Sequence, residues 1–529
     1  MTEVISVTRT VLDTKTSDEK LSDQEYTEDI APVNERSTTE ARLLRKLDVR
    51  FLPTVFLIYL MNYIDRTAIA TARLKGLEED LGLSDIQYDT AVAILYASYC
   101  SAQIPSNMIL NRIKRPSLYI GCCVVAWGLT SALTGITRNY AGILSCRLFL
   151  GFPEAAFYPG AIYLLSRWYT RKELAFRASL FYSGSLLSTA FGNLMAAGIL
   201  ANLEEKRGIR GWRWLFFIEG ALTISVGIIA MWSLPDLPNN TRWISVNERQ
   251  LAQARLAEDT GEADEDLAQD SMWEGLKMAV KDVRVLIFAL MEMSLLLGLS
   301  FVNFFPTLTA TLGFDTTITL LLAADKKASV DLGDGRLLFE LAACWYAYRI
   351  SYYQGLTGGL ADKTGERFWH LSLPWWGAIA GTIVALSTSS ITGRYISLFL
   401  MASGFAGFTL ILVWLSNTIT RPPAKRAASI GLVNGVGNVG NLIGSYTWKA
   451  KWGPQYHRSM EIGVAALLFS VSLASVMRFI LVRKNKRLDE DEIGGLKGAN
   501  QKRIEDAACL EGITMEEAME RKKGFRYLY

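Results

Sequence analysis

The sequence predicts an all-α integral membrane protein with twelve transmembrane helices in two six-helix bundles. Three observations carry this: an excess of apolar residues, their grouping into bilayer-length runs, and the position of Lys and Arg between the runs. Of the 529 residues, 50% are hydrophobic and only 20% are charged, and the mean hydropathy is +0.19. A water-soluble chain of this length splits into several domains and carries nearer a quarter charged residues, so the surplus apolar surface faces something other than water.

A helix needs about 20 apolar residues to cross a bilayer. By that rule the first six spans fall at 51–72, 90–110, 117–137, 142–168, 176–201 and 214–235. A charged stretch, 236–282, separates them from six more at 284–313, 337–360, 369–390, 394–420, 427–450 and 459–482. Two sets joined by a polar segment suggest repeated halves. The two halves echo one another. A basic loop (Arg171, Lys172, Arg177) precedes a fifth span holding Gly184-Ser185 and Gly192-Asn193. Another (Arg421, Lys425, Arg426) precedes an eleventh span holding Asn434-Gly435, Gly437-Asn438 and Gly440-Asn441. Most of these small residues read as close helix packing.

Orientation follows from Lys and Arg in the short loops. Arg42, Arg45, Lys46 and Arg50 precede the first span, Arg112, Lys114 and Arg115 follow the second, and Arg167, Arg171 and Lys172 follow the fourth. Arg483, Lys484, Lys486 and Arg487 follow the twelfth. Both termini are therefore expected to be cytoplasmic: a tail over 1–50, disordered over its polar first 40 residues, the inter-bundle loop 236–282, and a tail over 483–529. The loops holding Arg207, Arg210 and Arg213, and Lys449 and Lys451, run against the pattern. No apolar leader opens the chain, so the first span would serve as the uncleaved insertion signal. The acidic run 256–270 (Glu258, Asp259, Glu262, Asp264, Glu265, Asp266) reads as a solvated linker.

Several classes are excluded. A net charge of +3 is too small for a nucleic-acid binder. Six cysteines, five of them in apolar runs, form no paired framework and read as small buried hydrophobes. His370 and His457 lie too far apart for a zinc motif. There is no Walker-type phosphate loop and no hydrolytic triad, so the chain is expected to be neither an ATP-driven pump nor an enzyme, and to need no cofactor.

Ionisable residues deep in lipid are costly and mark binding sites or pathways. Asp65 and Arg66 lie about fourteen residues into the first span, roughly 21 Å along it at 1.5 Å per residue. Arg147 enters the fourth span at nearly the level of Asp65. Glu154, seven residues later, is expected near the midplane on the same helix face. A carboxyl group there without a partner would be mostly protonated, the property a proton carrier needs. Glu219, after Trp212-Arg213-Trp214, reads as interfacial, and Glu292 has no assigned role.

These residues sit in a recognisable pattern. The segments YLMNYIDRTAIATARLKGLEEDLGL (59–83), QIPSNMILNRIKRPSLYI (103–120) and GFPEAAFYPGAIYLLSRWYTRKE (151–173) resemble, in order and spacing, the anion:cation symporter family of the major facilitator superfamily. So do GWRWLFFIEGALT (211–223), LADKTGERFWH (360–370) and NGVGNVGNLIGSY (434–446). The likeness is to the fungal branch that includes allantoate and nicotinate permeases. It implies a monomeric, proton-coupled importer of a small organic anion in the plasma membrane, working by alternating access; an uncoupled facilitator, an exporter or a nutrient sensor are the rival readings. It implies that Arg66 helps hold the substrate carboxylate, that Asp65 helps couple protons, and that Arg147 and Glu154 are the matching fourth-helix pair, Glu154 being a proton site. It implies gating loops at Asn111, Arg112, Lys114 and Arg115 and at Asp362–Arg367, locking the inward gate by charge pairing. Asn303 and Phe305 are candidates for the opposite wall of the substrate site.

Residues 325–359 depart from the family pattern. Asp325, Lys326, Lys327, Asp331, Asp334 and Arg336 replace what should be an apolar eighth span. A translated intron or a misplaced splice junction is preferred there over a genuine insertion.

Overall fold

The structure is a computed structural model, and it describes residues 33–73, 76–260, 272–301, 353–388, 390–448, 452–453, 455–494 and 526–529. Asn303, Phe305 and the departing stretch 325–352 lie outside the described residues.

Among the described residues the secondary structure is helical throughout. α1 (Val33–Arg73), α2 (Leu77–Leu81), α3 (Asp85–Arg112), α4 (Pro116–Thr134), α5 (Tyr140–Glu154), α6 (Phe157–Ser166), α7 (Leu174–Asn202) and α8 (Gly211–Ser233) build the first half. α9 (Val246–Thr260) and α10 (Met272–Lys281) follow. α11 (Val283–Gly298), α12 (353–364), α13 (Phe368–Ser387), α14 (Ile391–Ala402), α15 (Phe408–Thr418), α16 (Pro423–Ser445) and α17 (His457–Gly494) build the second half. Six helices or helix pairs among the described residues are long and apolar enough to cross a membrane: Arg36–Arg73, Pro116–Thr134, Tyr140–Ser166, Gly211–Ser233, Ile396–Thr418 and His457–Glu490.

Local sequence sets the helix ends. Ser84 and Gln87 form a capping box at the start of α3, each side chain taking the other's backbone N–H. Pro116 opens α4 at a position where its missing N–H is not needed. Pro153 has the opposite effect: it lacks a donor and crowds the preceding turn, and α5 ends one residue later before α6 resumes at Phe157. The fourth span is thus two helices meeting at a break, with Glu154 at the break.

In the N-terminal bundle α1 packs on α7 and α8, and α4 packs on α5 and α8; in the C-terminal bundle α11 packs on α16 and α17, and α13 on α14 and α17. Across the seam α16 lies against α3, and α15 against α6 and α7. At the seam's centre, the ring of Phe408 stacks on Tyr158 at 6.0 Å and meets Tyr182 at 5.2 Å.

α16 is sandwiched because glycines recur along two of its edges. A Cβ at Gly440 would stand 2.1 Å from the Met293 carbonyl of α11, and one at Gly431 would stand 2.9 Å from the Gln103 carbonyl of α3. Only glycine lets backbone meet backbone that closely.

The segment between the bundles is ordered more than the sequence suggests. α9 and α10 occupy much of 236–282, and the acids at the start of the acidic run are engaged: Glu258 accepts from Arg36, and Asp259 pairs with Arg171 at 3.3 Å. Basic residues face them from α1 and from the loop between α6 and α7, which is why they dock rather than stay solvated. The rest of the acidic run lies outside the described residues. The cysteines also depart from expectation: Cys122 is exposed, and Cys100, Cys123 and Cys146 are only half-buried, since an apolar run has a lipid-facing side as well as a packed one.

Residues Arg526–Tyr529 are seated at the membrane face bearing Arg112, Arg171 and Arg367, called the basic face below. Asn485 of α17 clasps Tyr527, donating to its carbonyl and accepting from its N–H, both at 2.9 Å. Trp414 donates to the Leu528 carbonyl at 3.0 Å, Arg367 N–H to the Tyr529 carbonyl at 2.8 Å, and Arg171 to the Arg526 carbonyl at 3.0 Å. The tetrapeptide therefore touches both bundles.

Candidate functional site

Arg66 and Glu154 meet inside the N-terminal bundle. Glu154 is 2% exposed, and a single oxygen, Oε1, takes Arg66 Nε at 2.8 Å, Asn62 Nδ2 at 2.9 Å and also Arg66 Nη2. Its other oxygen, Oε2, is buried with no hydrogen-bond partner. Asn62 and Arg66 are four residues apart on α1, so they rise on one face toward the α5–α6 break. Three tyrosines surround the guanidinium: its centre lies 4.7 Å from the Tyr99 ring, 5.3 Å from Tyr63 and 5.7 Å from Tyr96. Such π-faces attract a cation without neutralising it, and the attraction grows when water is excluded. Arg66 is thus held by one carboxylate oxygen and an aromatic cage, with nothing else carrying negative charge among these contacts.

Asp65 turns the other way. Neighbouring residues on a helix point about 100° apart and do not share a face. The Asp65 carboxylate is 2% exposed and accepts from Ser131 of α4 at 2.8 Å and Thr223 of α8 at 2.7 Å. It is walled off from Arg66 rather than beside it. Arg147 is 3% exposed, and its Nε and Nη2 are buried without hydrogen-bond partners among the described residues. Arg147 does not pair with Glu154, although both project from α5. Glu219 corrects the sequence reading: it is 2% exposed, not interfacial, with Oε2 unpartnered and Thr223, the donor to Asp65, one turn further along α8. Asp65, Arg147 and Glu219 make a second buried polar group on the α4–α8 side of α1.

Sequence reading missed Asn62, Ser131, Thr223 and the tyrosines 63, 96 and 99. Asn62 and Tyr63 carried a signal, being three and four residues before Arg66 on one helix. Ser131 and Thr223 carried none, because single hydroxyls in apolar runs are ordinary. Asn303 and Phe305 fall outside the described residues.

At the basic face the two bundles are joined by a carboxylate. Asp362, at the end of α12, accepts from the backbone N–H groups of Ala175 at 3.1 Å and Phe176 at 2.8 Å, the free donors at the start of α7. It also accepts from Arg367 Nη2 at 2.9 Å, and Arg367 donates across the seam to the Arg171 carbonyl. Arg112 and Arg115 are exposed on the rim. The bridge is therefore carboxylate to helix N-terminus and guanidinium to carbonyl, where charge pairing between loops was expected. Unfilled amides at a helix start suit an anion without needing a cation. Further into the seam, Asn107 donates to the Ala427 carbonyl at 3.1 Å and Asn434 to Gln103 Oε1 at 2.8 Å.

Two helical bundles meeting at a seam, with ionised groups buried between apolar helices, are the build of a membrane transporter. The chain belongs to the Major Facilitator Superfamily, whose family model matches residues 55–445. It is 32% identical over 473 residues to the MFS-type transporter cnsO of Penicillium expansum, covering 85% of this chain and 86% of that one. It is 27% identical over 464 residues to the major facilitator-type transporter hxnP of Emericella nidulans, covering 86% and 88%. A protein of Agrobacterium vitis named "Putative tartrate transporter" is 29% identical over 410 residues, covering 77% of this chain and 88% of that one. Among solved structures, the human organic anion transporter MFSD10 superposes with a TM-score of 0.52 at 12% identity, covering 81% of this chain and 99% of that one. That likeness is one of fold. The chain is thus a multi-pass membrane transporter.

Proposed function

We propose that the chain is a proton-coupled importer of a small organic carboxylate at the plasma membrane, in the anion:cation symporter branch, with Arg66 as the substrate-binding cation and Glu154 as its exchangeable counter-ion. The observation that carries this is the Arg66–Glu154 contact, in which a largely buried guanidinium faces one carboxylate oxygen and three π-faces. A guanidinium stays charged and presents a two-pronged face that matches a carboxylate. An incoming anion competes with Glu154 for it. Once displaced, Glu154 is a buried carboxylate without its cation, and burial then favours its protonated form. Anion and proton therefore each favour the other's binding, and that reciprocal coupling is symport. The relative named for tartrate supports an organic anion as cargo; allantoate and nicotinate share its charge logic.

In this reading Asp65 and Arg147 relay protons on the far side of α1, Asn303 and Phe305 form the opposite wall, and the basic face is cytoplasmic. Asp362 and Arg367 close the inward gate, with Arg112 and Arg115 on its rim.

The test is uptake of labelled carboxylates by cells lacking their own permeases. Arg66→Ala should abolish anion binding, and Glu154→Gln should retain exchange while losing pH-driven accumulation. Wild-type affinity in the first variant, or undiminished accumulation in the second, sinks the assignment. Uptake indifferent to a proton uncoupler makes the protein a facilitator instead.

A further inference from the structure

Glu292 of α11 stands apart from the groups used above. It is 0% exposed, and both of its carboxylate oxygens are buried without a hydrogen-bond partner among the described residues. No other carboxyl group of the described residues is left so bare: Asp65 has two hydroxyl donors and Glu154 has Arg66 and Asn62.

Among the described residues its surroundings offer no cation. α11 packs on α16 and α17. On α16 the residue against it is Gly437, where a Cβ would lie 2.6 Å from Glu292 Cγ and 2.9 Å from Oε1. The nearest basic residue on that helix, Arg426, is eleven residues away, about 16 Å along the axis. On α17, Ser470 bonds the neighbouring Met291 carbonyl at 2.9 Å. Arg478 and Glu461, the ionisable residues bracketing it, are eight and nine residues off, each about 12 Å or more along the helix. α15 carries no ionisable side chain along its length. Across the seam, the titratable groups within electrostatic reach are the phenols of Tyr158 and Tyr182. Tyr158 Oη is itself buried without a partner.

An ionised carboxylate with no donor and no cation is held out of water at a cost of several kcal/mol. The surrounding therefore accommodates the acid form. The carboxyl group lies against Gly437 of α16, the helix that meets α3 across the seam, and the phenols of Tyr158 and Tyr182 in the other bundle are within its electrostatic reach; a seam that parts brings water to that helix, so opening releases the proton and closing requires its return.

We infer that Glu292 is a second proton-carrying carboxyl, in the opposite bundle from Arg66 and Glu154. A proton joins a Glu292 carboxylate oxygen before the seam closes and leaves from it after the seam reopens, and the bond made and broken is O–H. The consequence for the proposed reading, on which this rests, is that each anion travels with a second proton, and carriage of a monoanion moves net positive charge inward. Gly437 is part of the device: it keeps the space in which the neutral acid lies.

Two measurements on the full chain test this. In the first, purified protein in detergent is examined by infrared difference spectroscopy between neutral and alkaline pH. The carbonyl band of a protonated carboxylic acid should be present at neutral pH and absent in Glu292→Gln. A spectrum unchanged by the substitution overturns the inference, whether or not any anion is transported. In the second, proteoliposomes report proton and labelled-carboxylate fluxes together. Glu292→Gln should still transport but with the proton-to-anion ratio cut by about half and the Hill slope of the pH dependence reduced accordingly. An unchanged ratio in an active variant also overturns it. Gly437→Ala, which crowds the acid form without removing it, should keep the wild-type ratio and move the pH midpoint; a midpoint identical to wild type counts against the inference. Wild-type protein that carries anions without protons would sink the proposed coupling, while the infrared band would still decide the state of Glu292.

Discussion

Asp362→Ala removes the carboxylate that ties α12 to the start of α7. Three contacts go: the amides of Ala175 and Phe176 at 3.1 and 2.8 Å and the Arg367 guanidinium at 2.9 Å. Hydrogen bonds to a charged group contribute about 1.5–3 kcal/mol each, net of water. The Arg367 contact lies within the C-terminal bundle and persists when the seam opens, so only the two amide bonds bear on closure. Water replaces part of their value in the open state. A loss of about 3 kcal/mol is then expected, a factor on the order of 100 in the closed-to-open equilibrium. Removing the acid also leaves Arg367, 0% exposed, without its counter-charge, which adds to the cost of the closed form. The assay is hydrogen exchange of the peptide spanning Leu174–Leu180, read by mass spectrometry. Exchange at Ala175 and Phe176 should quicken by one to two orders of magnitude in the variant, while amides in α4 and α8 are unchanged. Rates within about threefold of wild type, under about 0.7 kcal/mol, would refute the claim that this carboxylate holds the seam shut.

Two further outcomes follow from groups outside the spans. Asp282 bonds Lys425 at 2.7 Å and Arg284 at 2.7 Å. Burial works to raise its carboxyl, but donation from Arg284 and Lys425 outweighs it and holds the group well below the ordinary carboxylate range. A folded-state value below the unfolded one gives stability that is complete above about pH 4 and is lost only as pH falls further. Asp282→Asn should therefore lower thermal stability by about 1–3 kcal/mol at neutral pH, with the gap closing only below about pH 4; a gap that narrows between pH 8 and 6 contradicts the assignment. Asn485→Ala removes both bonds to Tyr527, about 2 kcal/mol together, and tryptic cleavage after Arg526 should accelerate roughly 30-fold; unchanged cleavage would mean Asn485 does not hold the tetrapeptide.

The fold was legible because its causes are written along the chain. Apolar runs of bilayer length and basic loops do not depend on distant partners, and the described residues of those runs are mostly helical. What the sequence does not carry is azimuth across helices. Asp65 and Arg66 are adjacent in sequence, yet 100° of helical turn sends one to Ser131 and Thr223 and the other to Glu154. Glu154 shares a face with Arg147 by spacing, but the partner it takes is on α1. Glu219 read as interfacial from its aromatic and basic neighbours; its burial is decided by the fit of α8 against α1 and α4. At the gate, the acids and bases suggested pairing between loops, whereas the partners Asp362 takes across the seam are main-chain amides, which every sequence has and no composition reveals.

α16 is threaded by two rows of glycine that serve opposite ends. Gly437 and Gly440 lie against α11 within one bundle, a joint that stays made; Gly431 and Gly435 lie against α3, a joint that must come apart in every turnover. A methyl group added at Gly440, where the neighbour is backbone and not a movable side chain, spoils the build of a unit. A methyl group added to the second row acts as a wedge in a door, costing little when the two units stand apart and much when they meet. One helix can therefore be edited to weaken the machine or to jam it ajar, according to which side of a 23-residue rod receives the carbon.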